Sequence, residues 1–242
     1  MCGRYMLRAD PHQLGRAFRL DELSQIPRDL PLRFNIAPSQ AVPIVRELRI
    51  VRQAGDGAGR ELAAVRWGLI PAWAKEPSIG NKMINARAES VAEKPAFRAA
   101  FRSRRCIVPA SGFYEWQRRG RGPARPYLIR RKDGKPIGFA GLWEGWRDPA
   151  TGEVVESCTV ITCEPNELMA ELHDRMPVIL DPADYDRWLD PKAAGAEELL
   201  RPCPAAWLEA IPVSTRVNNP ANDDESLLES EGEPLAAQGS LL

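Results

Sequence analysis

Residues 105–116 read RCIVPASGFYEW, an apolar run punctuated by Pro109, Ser111 and Gly112. Its β-branched and aromatic side chains, bounded by turn-forming residues, are typical of strand rather than helix. Five further short runs share this character: AVPIVREL at 41–48, LAAVRWGLI at 62–70, PYLIRR at 126–131, IGFAGLWE at 137–144 and SCTVITC at 157–163. Strand therefore dominates the predicted secondary structure.

Helical signals are fewer. Asp10 is placed to cap a helix running toward Phe18, Asn166 to cap NELMAELHD, and Pro182 suits the first position of a helix after Asp181. Strands outnumber helices, and no regular alternation of the two runs along the chain. We therefore predict an α+β fold, a single domain whose mostly antiparallel sheets form a barrel-like core with flanking helices.

The domain is expected to span residues 1–217. From Asn218 the chain reads NNPANDDESLLESEGEPLAAQGSLL, which is acidic and poor in aromatic residues, so residues 218–242 are predicted to be a flexible tail. No run of about 18 apolar residues occurs, and MCGRYMLRAD lacks the apolar centre of a signal peptide. These patterns predict a cytoplasmic protein with no membrane partner.

The charge of the chain has two interpretations. Its 242 residues include 33 Lys and Arg against 33 Asp and Glu, and a net charge of zero argues against a strongly basic nucleic-acid binder. The distribution is uneven, however, because the first 135 residues carry +15 and the remainder −15. Either one face of the protein is cationic, or the two halves interleave in space and cancel.

The cysteines and histidines do not indicate a metal centre. The chain has 5 Cys and 2 His, with no CxxC pair, and His12 and His173 are not spaced as zinc ligands. Cys106, Cys158 and Cys163 lie in apolar runs, where a buried, reduced thiol is expected. The sequence thus predicts no metal and no cofactor.

Cys2 stands apart because removal of Met1 would make it the first residue, with a free amine beside its thiol. An α-amine titrates at about 7.7–8.0, so part of it is nucleophilic at neutral pH. Its attack on an aldehyde gives an imine, and the thiol can then close on the imine carbon to form a five-membered thiazolidine. Alternatively, the amine serves as base for the thiol, as in N-terminal nucleophile hydrolases. Residue identity alone also allows an incidental cysteine.

Six stretches, in this order, resemble the SOS-response-associated peptidase family, the abasic-site processing proteins: MCGR at 1–4, RFNIAPSQ at 33–40, WGLIPAW at 67–73, INARAES at 84–90, RCIVPASGFYEW at 105–116 and LHDRMPVIL at 172–180. The resemblance covers about residues 2–217. It implies a DNA-repair enzyme, classed as a peptidase or hydrolase with lyase-type chemistry, that forms a thiazolidine crosslink with abasic sites in single-stranded DNA. Whether the protein removes Met1 itself stays open.

The resemblance also implies four catalytic residues. Cys2 matches the nucleophile, and Asn85 matches an amide that can hold the amine without fixing it as ammonium. Glu115 matches the catalytic carboxylate; flanked by aromatic residues, it would be desolvated and its pKa raised. His173 matches the histidine that opens the deoxyribose ring, and a side chain titrating near 6.5 suits that proton transfer. The competing interpretations are a turn asparagine, an exposed strand carboxylate and a helix-end histidine.

Six DNA contacts follow from the same resemblance: Arg4, Arg87, Trp73, Trp67, Pro38 and Asn35. Guanidinium groups fit phosphate oxygens in a bidentate way, and exposed aromatic rings stack on bases. For Trp67 the core of a strand is the better interpretation. Trp73 has the stronger case because Pro71 and the polar residues that follow imply an exposed loop.

Two basic features stay open. Family members often carry a further basic residue downstream of the INAR motif, and either Lys94 or Arg98 is placed to fill that position. The turn RRGRGPAR at 118–125 is either an electrostatic rim for DNA or the solvated tip of a hairpin.

Two other functions compete with covalent repair. One is a glutamine amidotransferase or another N-terminal nucleophile hydrolase, since such chains can also begin Met-Cys-Gly. The other is a basic module that binds single-stranded DNA without a covalent bond. The family resemblance favours the repair enzyme, acting as a cytoplasmic monomer that associates with the nucleoid when it engages DNA.

Overall fold

Strands make up most of the regular structure in the computed structural model, which describes residues 2–20, 31–52, 55–118 and 122–235. Within these residues the strands are β1 (Tyr5–Leu7), β2 (Arg33–Ile36), β3 (Ala41–Arg52), β4 (Gly55–Trp67), β5 (Asn85–Arg87), β6 (Arg105–Ala110), β7 (Gly112–Gln117), β8 (Arg125–Arg131), β9 (Ile137–Arg147), β10 (Val154–Cys163), β11 (Met176–Pro177) and β12 (Leu208–Pro212). The α-helices are α1 (Pro11–Phe18), α2 (Arg98–Ser103), α3 (Glu167–Ala170) and α4 (Tyr185–Leu189). Short 3-10 helices lie at Pro77–Lys82, Ala88–Ser90, Pro182–Asp184, Ala196–Leu199, Ala205–Trp207, Thr215–Asn218 and Glu225–Leu228.

The predicted α+β class and barrel-like core are confirmed. β10 pairs with β4 on one side and β9 on the other, and the order β10-β4-β3-β6-β9 therefore closes into a barrel. The pairings of β10 with β4 and β5 are parallel, and the other strand pairings are antiparallel. A second, five-stranded sheet has the order β12-β8-β7-β1-β2.

The run at 105–116 divides between the two sheets. β6 belongs to the barrel and β7 to the five-stranded sheet, with Ser111 at the break. The Ser111 N–H donates to the carbonyl of Met6 at 2.8 Å, and its Oγ accepts from the Arg8 N–H at 2.8 Å. The break therefore joins β1 to both layers and fixes the start of the chain.

Four aromatic side chains join the five-stranded sheet to the barrel. Tyr5 of β1 meets the ring of Trp67 at 5.3 Å and that of Phe139 at 6.1 Å. Phe113 of β7 meets Phe139 at 5.8 Å. Each fully buried ring contributes roughly 1.5–3 kcal/mol to folding. This packing holds β1, and with it the residues that precede it, against the barrel.

The helix caps are where we expected them, but one helix is shorter. Asp10 and Gln13 form a reciprocal capping box at the start of α1. Asn166 caps α3 by accepting from the Met169 N–H at 2.9 Å. α3 ends at Ala170 rather than running through residue 174, because the chain must turn to pair β11 with β10. After Asp181 a 3-10 turn precedes α4.

The acidic segment after Asn218 packs on the domain as far as the structure describes it. The Asp223 carboxylate accepts from the Asn35 N–H at 2.9 Å, and Leu227 is fully buried. The Leu235 N–H donates to the carbonyl of Ala210 on β12 at 2.8 Å. The domain boundary at residue 217 stays a prediction, and residues 236–242 lie outside the described residues. None of the helices in the described ranges is both long and apolar enough to cross a membrane.

Candidate active site

Cys2 lies in the core, immediately before β1. In the registry of the five-stranded sheet, Tyr5 pairs with Phe113 of β7 and Ile36 of β2. The Cys2 side chain is fully buried. Burial raises the pKa of its thiol far above the ordinary value, and the nearby Glu115 carboxylate raises it further. The thiol is therefore protonated at neutral pH and needs a base before it can act as a nucleophile.

Asn85 holds the backbone of Cys2. It begins β5, where its register partner on β10 is Val160. Its Nδ2 donates to the carbonyl oxygen of Cys2 at 2.9 Å. Its Oδ1 is buried and has no hydrogen-bond partner within the described part of the chain. A buried acceptor without a hydrogen-bond partner lowers stability by about 1–3 kcal/mol, so this oxygen is available to accept a hydrogen bond from a bound group.

Two glycines bring Asn85 to that position. The WGLIPAW loop turns at Gly68, whose φ is +125°, and a Cβ on Gly80 would lie 2.5 Å from the Gly68 carbonyl oxygen. The backbones at residues 68 and 80 can come this close only because neither glycine has a Cβ. The indole N–H of Trp67 then donates to the carbonyl of Ile84 at 2.9 Å, one residue before Asn85. The loop is thereby folded back so that β5 reaches the start of the chain.

Glu115 is a buried carboxyl beside Cys2. It lies on β7 and is 4% exposed, so it is not the solvated strand carboxylate that spacing alone allowed. Burial raises the pKa of Glu115 to about 7. Acid and base forms then coexist near neutral pH, which suits a group that must both donate and accept a proton.

His173 shares a cleft with Glu115. The cleft has a volume of about 460 Å³, and its walls include Trp116, Thr215 and Asn218. The Arg175 N–H donates to Nδ1 of His173 at 3.0 Å, while an Asp174 carboxylate oxygen lies 2.7 Å from the same nitrogen. These contacts need opposite protonation states of Nδ1. Partial burial lowers the pKa of His173, which favours the neutral ring that accepts from Arg175.

Asn35 is an internal anchor, which corrects its predicted role as a DNA contact. It is fully buried, and its Oδ1 accepts from Nη1 of Arg4 at 2.8 Å. Its Nδ2 lies 3.2, 3.1 and 2.8 Å from the carbonyl oxygens of Val217, Asn219 and Asn222. The side chain is thus committed to residues 215–223, which we call the strap.

Arg4 is also engaged by the strap. Its Nη1 donates to the carbonyl of Val217 at 2.7 Å, and its guanidinium lies 5.8 Å from the ring centroid of Trp116. The Trp116 indole N–H donates in turn to Oδ1 of Asn218 at 2.7 Å. Arg4 therefore ties the strap to the residues next to Cys2. Its predicted contact with phosphate stays a prediction.

The two tryptophans of the WGLIPAW loop differ completely in exposure. Trp67 is 1% exposed and packs in the core, so its predicted contact with DNA is wrong, because the ring offers no surface. Trp73 is 60% exposed and is available for stacking. Pro38 is half-buried in the turn before β3, and Arg87 is exposed at the end of β5. For these three residues the predicted contacts stay predictions.

The remaining basic candidates are not separated by the structure. Lys94 and Arg98 are both exposed, on either side of the start of α2. In the turn at 118–125, residues 119–121 lie outside the described residues. The choice between an electrostatic rim and a solvated hairpin tip therefore stays open.

The oppositely charged halves of the chain interleave. Seven ion pairs among the described residues join a base in the first 135 residues to an acid in the remainder: Arg8–Glu225, Arg19–Asp186, Arg33–Asp223, Arg46–Glu156, Arg60–Asp186, Arg104–Glu144 and Arg130–Glu209. Much of the +15 and −15 cancels in this way, and positive potential is left in local clusters.

Sequence reasoning missed the strap and Arg175. The strap supplies Thr215 and Asn218 to the cleft wall. We took the acidity of the segment from Asn218 and its lack of aromatic residues as a sign of flexibility, but its Asn and Asp residues are also turn formers. Arg175 forms a bidentate pair with Glu89 at 2.6 and 3.0 Å and donates to the carbonyl of Thr162 at 2.6 Å. Its place in LHDRMP, two residues after His173, was the available signal.

Known proteins are similar to this chain over most of its length. The family model described as SOS response associated peptidase (SRAP) matches residues 1–220. The Abasic site processing protein YoqW of Bacillus subtilis is 43% identical over 95% of this chain and 100% of its own. The Abasic site processing protein HMCES of Xenopus tropicalis is 34% identical over 78% of this chain and 63% of its own.

Solved structures share the fold. A protein from Bacteroides thetaiotaomicron superposes with a TM-score of 0.80 at 27% identity, covering 95% of this chain and 99% of that chain. A protein from Bordetella bronchiseptica superposes with a TM-score of 0.72 at 30% identity, covering 88% of this chain and 100% of that chain.

Proposed function

This chain belongs to the SOS response associated peptidase family, and we propose from that premise that it processes abasic sites in single-stranded DNA through a covalent thiazolidine at Cys2. The relatives named abasic site processing proteins support the class of lesion. The observation that carries the proposal is the 2.9 Å hydrogen bond from Asn85 to the Cys2 carbonyl, with buried Glu115 beside the same residue.

The first step presents an aldehyde. An abasic deoxyribose is mostly a closed hemiacetal, and opening moves a proton from its C1′ hydroxyl while the ring oxygen gains one. The neutral ring of His173 is suited to accept the hydroxyl proton and to return it to the ring oxygen as the bond from C1′ to that oxygen breaks, since its pKa is held below the ordinary value and it lines the cleft. Exposed Arg87, at the end of the strand that carries Asn85, is placed to bind a flanking phosphate.

The second step forms an imine. With Met1 removed, the Cys2 amine attacks C1′, and the unmet Oδ1 of Asn85 accepts one of the amine hydrogens and orients the nitrogen. The resulting carbinolamine must lose its hydroxyl as water. Glu115 in its acid form donates the proton to that leaving water, which leaves an iminium ion beside a carboxylate.

The third step closes the ring. The Glu115 carboxylate removes the proton from the Cys2 thiol, and the sulfur attacks the iminium carbon to complete the thiazolidine. The carboxyl group is thereby returned to its acid form. Overall, one C–N and one C–S bond form at C1′ and one water leaves. A carboxyl whose pKa is about 7 can serve in both directions.

Intact mass measurement tests this chemistry. The mature protein should have lost Met1, and incubation with a single strand containing one abasic site should give a species equal to protein plus DNA minus one water. The species should survive a denaturing gel. A complex that dissociates on that gel would favour the noncovalent module, and glutaminase activity without DNA would favour the amidotransferase.

The same measurement addresses Met1. If the chain removes its own Met1, the Glu115→Gln protein should retain it to a greater extent than wild type when both are made in the same cells. Equal removal in both would assign the step to a separate aminopeptidase. Sedimentation velocity checks the proposed monomer, which should bind DNA with one protein per lesion.

A further inference from the structure

A second cleft, larger than the one beside Glu115, lies at the opposite end of β1. Its volume is about 860 Å³, and it is bounded by the end of β1, helix α1 and the turn that connects β8 to β9. Six basic side chains line it: Arg8, Arg16, Arg130, Arg131, Lys132 and Lys135. No residue of the proposed reaction is among its walls.

The acids at this cleft do not balance its bases. The lining acids are Asp133, which pairs with Arg131 at 2.7 Å, and Glu209, which pairs with Arg130 at 2.8 Å. Glu225, which is not part of the cleft wall, pairs with Arg8 at 3.0 Å, and both side chains of this pair are exposed. An exposed ion pair contributes little to stability, so a polyanion can compete with Glu225 for the Arg8 guanidinium group.

Two of the six cations have no carboxylate partner within the described part of the chain. Arg16, in the last turn of α1, and Lys132, in the turn between β8 and β9, are both exposed and line the cleft. Four further bases surround them. Such a cluster attracts phosphate groups irrespective of base sequence, because its contacts are with charge alone.

The cleft is close to the proposed reaction site. Six residue steps separate Cys2 from Arg8, and an extended chain covers at most about 20 Å in that number of steps. At the roughly 3.4 Å rise of a fully stacked strand, this upper limit corresponds to at most about six nucleotides. A strand held at Cys2 can therefore extend into the second cleft.

We propose that this cationic cleft binds backbone phosphates of the same DNA strand, within about six nucleotides of the lesion. The inference rests on the proposed function, because it takes the lesion to be held at Cys2. The cleft would set how firmly a long strand is retained while the covalent bond forms. It would not take part in bond formation.

The test uses a charge-reversed pair, Arg16→Glu with Lys132→Glu. The matched control is Arg147→Glu with Lys192→Glu, because both of these residues are exposed and lie outside the walls of both clefts. Crosslinking is followed with abasic strands of about 5 and about 20 nucleotides. The Arg16 and Lys132 pair should slow crosslinking of the long strand about tenfold and leave the short strand unchanged.

Equilibrium binding gives a second readout that does not depend on the chemistry. On a Cys2→Ala background, the slope of log affinity against log salt for an undamaged long strand should fall by roughly 1.4, since about 0.7 is lost for each single-strand phosphate contact. Placing the lesion near either end of the long strand shows on which side of it the cleft lies. The charge reversal should weaken binding and slow crosslinking only for the strand whose long flank extends from the lesion on that side.

The outcomes separate the two proposals. If wild type forms no adduct with either strand, the proposed function fails. If it forms adducts with both and the charge-reversed pair behaves as the control does, the cleft proposal is overturned. Inorganic pyrophosphate tests whether the cleft binds a small anion instead. If pyrophosphate binds tightly, the charge reversal abolishes that binding, and crosslinking does not depend on DNA length, a DNA-binding role is also overturned.

Discussion

The two ends of β1 place charged groups in opposite environments. At the Cys2 end the reactive groups are almost fully enclosed, with Cys2 at 0% and Glu115 at 4% exposure, and burial moves their pKa values upward. At the Arg8 end most of the cationic side chains, such as Arg8, Arg16 and Lys132, are exposed to water. Bond-making needs desolvated groups whose protonation can change, whereas retention of DNA needs permanent charge that can release counterions.

This contrast explains why the net charge of zero is a poor guide to function. Charge is cancelled over much of the surface by ion pairs between the halves of the chain, yet the cleft at Arg8 keeps an excess of bases. We therefore expect salt to weaken encounter with DNA while leaving the chemical step almost unchanged.

The largest effect should come from Cys2→Ala. Without the thiol no thiazolidine can form, and the heat-stable adduct should be lost entirely in a denaturing gel. Cys203→Ala is the control, since that thiol is also buried but lies in the wall of a different cleft. An adduct that persists at wild-type yield in Cys2→Ala would disprove the mechanism.

Glu115→Gln should slow adduct formation by a factor of about 10² or more. In wild type the acid form of Glu115 is lost above about pH 7, so the dehydration step slows as pH rises through that value. The amide variant should lose this decline. Rates of crosslinking at a series of pH values check this, and Glu144→Gln controls for altering a buried glutamate.

Glu115→Gln should also change how the free energy of unfolding depends on pH. The folded state holds the Glu115 proton more tightly than the unfolded state does. The contribution of this proton to the free energy of unfolding is therefore full below about pH 4.5 and is lost as pH rises through about 7. Glu115→Gln should therefore reduce the dependence of the unfolding free energy on pH between 5 and 8 by about 2 kcal/mol. Urea denaturation at each pH measures it, and an unchanged pH dependence would contradict a buried carboxyl.

Asn35→Ala should act on stability rather than on DNA contact. It removes the acceptor of Arg4 and the donors to the strap, and buried groups left without partners cost about 1–3 kcal/mol each. We expect an overall loss of about 3 kcal/mol in urea denaturation. Unchanged stability with strongly weakened binding of undamaged DNA would restore the predicted DNA contact.

Trp73→Ala should weaken DNA binding by about 1–3 kcal/mol with no change in stability. The ring is 60% exposed, so its removal creates no cavity. Val154→Ala is the matched control, since that side chain is 54% exposed on β10. Fluorescence anisotropy with an undamaged single strand gives the two affinities, and equal affinities would exclude stacking at Trp73.

The sequence was sufficient for the strands, because alternation and turn residues are local properties, whereas the chemistry inferred for Cys2 stays a proposal. It was insufficient for Asn35 and Trp67, since a motif identifies important residues without telling whether a side chain faces the core or the solvent. Both are buried. The meeting of Asn85 with Cys2 depends on the parallel pairing of β5 with β10, a long-range contact that no local pattern encodes.

Composition misjudged the segment after residue 217 for a related reason. Asn and Asp side chains are common in mobile tails and equally common in tight turns. Here the Asn219 Oδ1 accepts from the Ala221 N–H at 3.1 Å and the Asp224 Oδ1 from the Ser226 N–H at 3.1 Å. Turns of this kind, together with buried Leu227, order the described part of the segment.

The hydrogen bonds from Arg4 to Val217 and Asn35 determine when the start of the chain can fold during synthesis. The partner at 217 is made last, so the first residues cannot reach their final position until nearly the whole chain has left the ribosome. At about 5–20 residues per second, that delay is roughly 10–45 s. During it the start of the chain is accessible, and residue 2 can take its final position beside Asn85 only when synthesis is almost over.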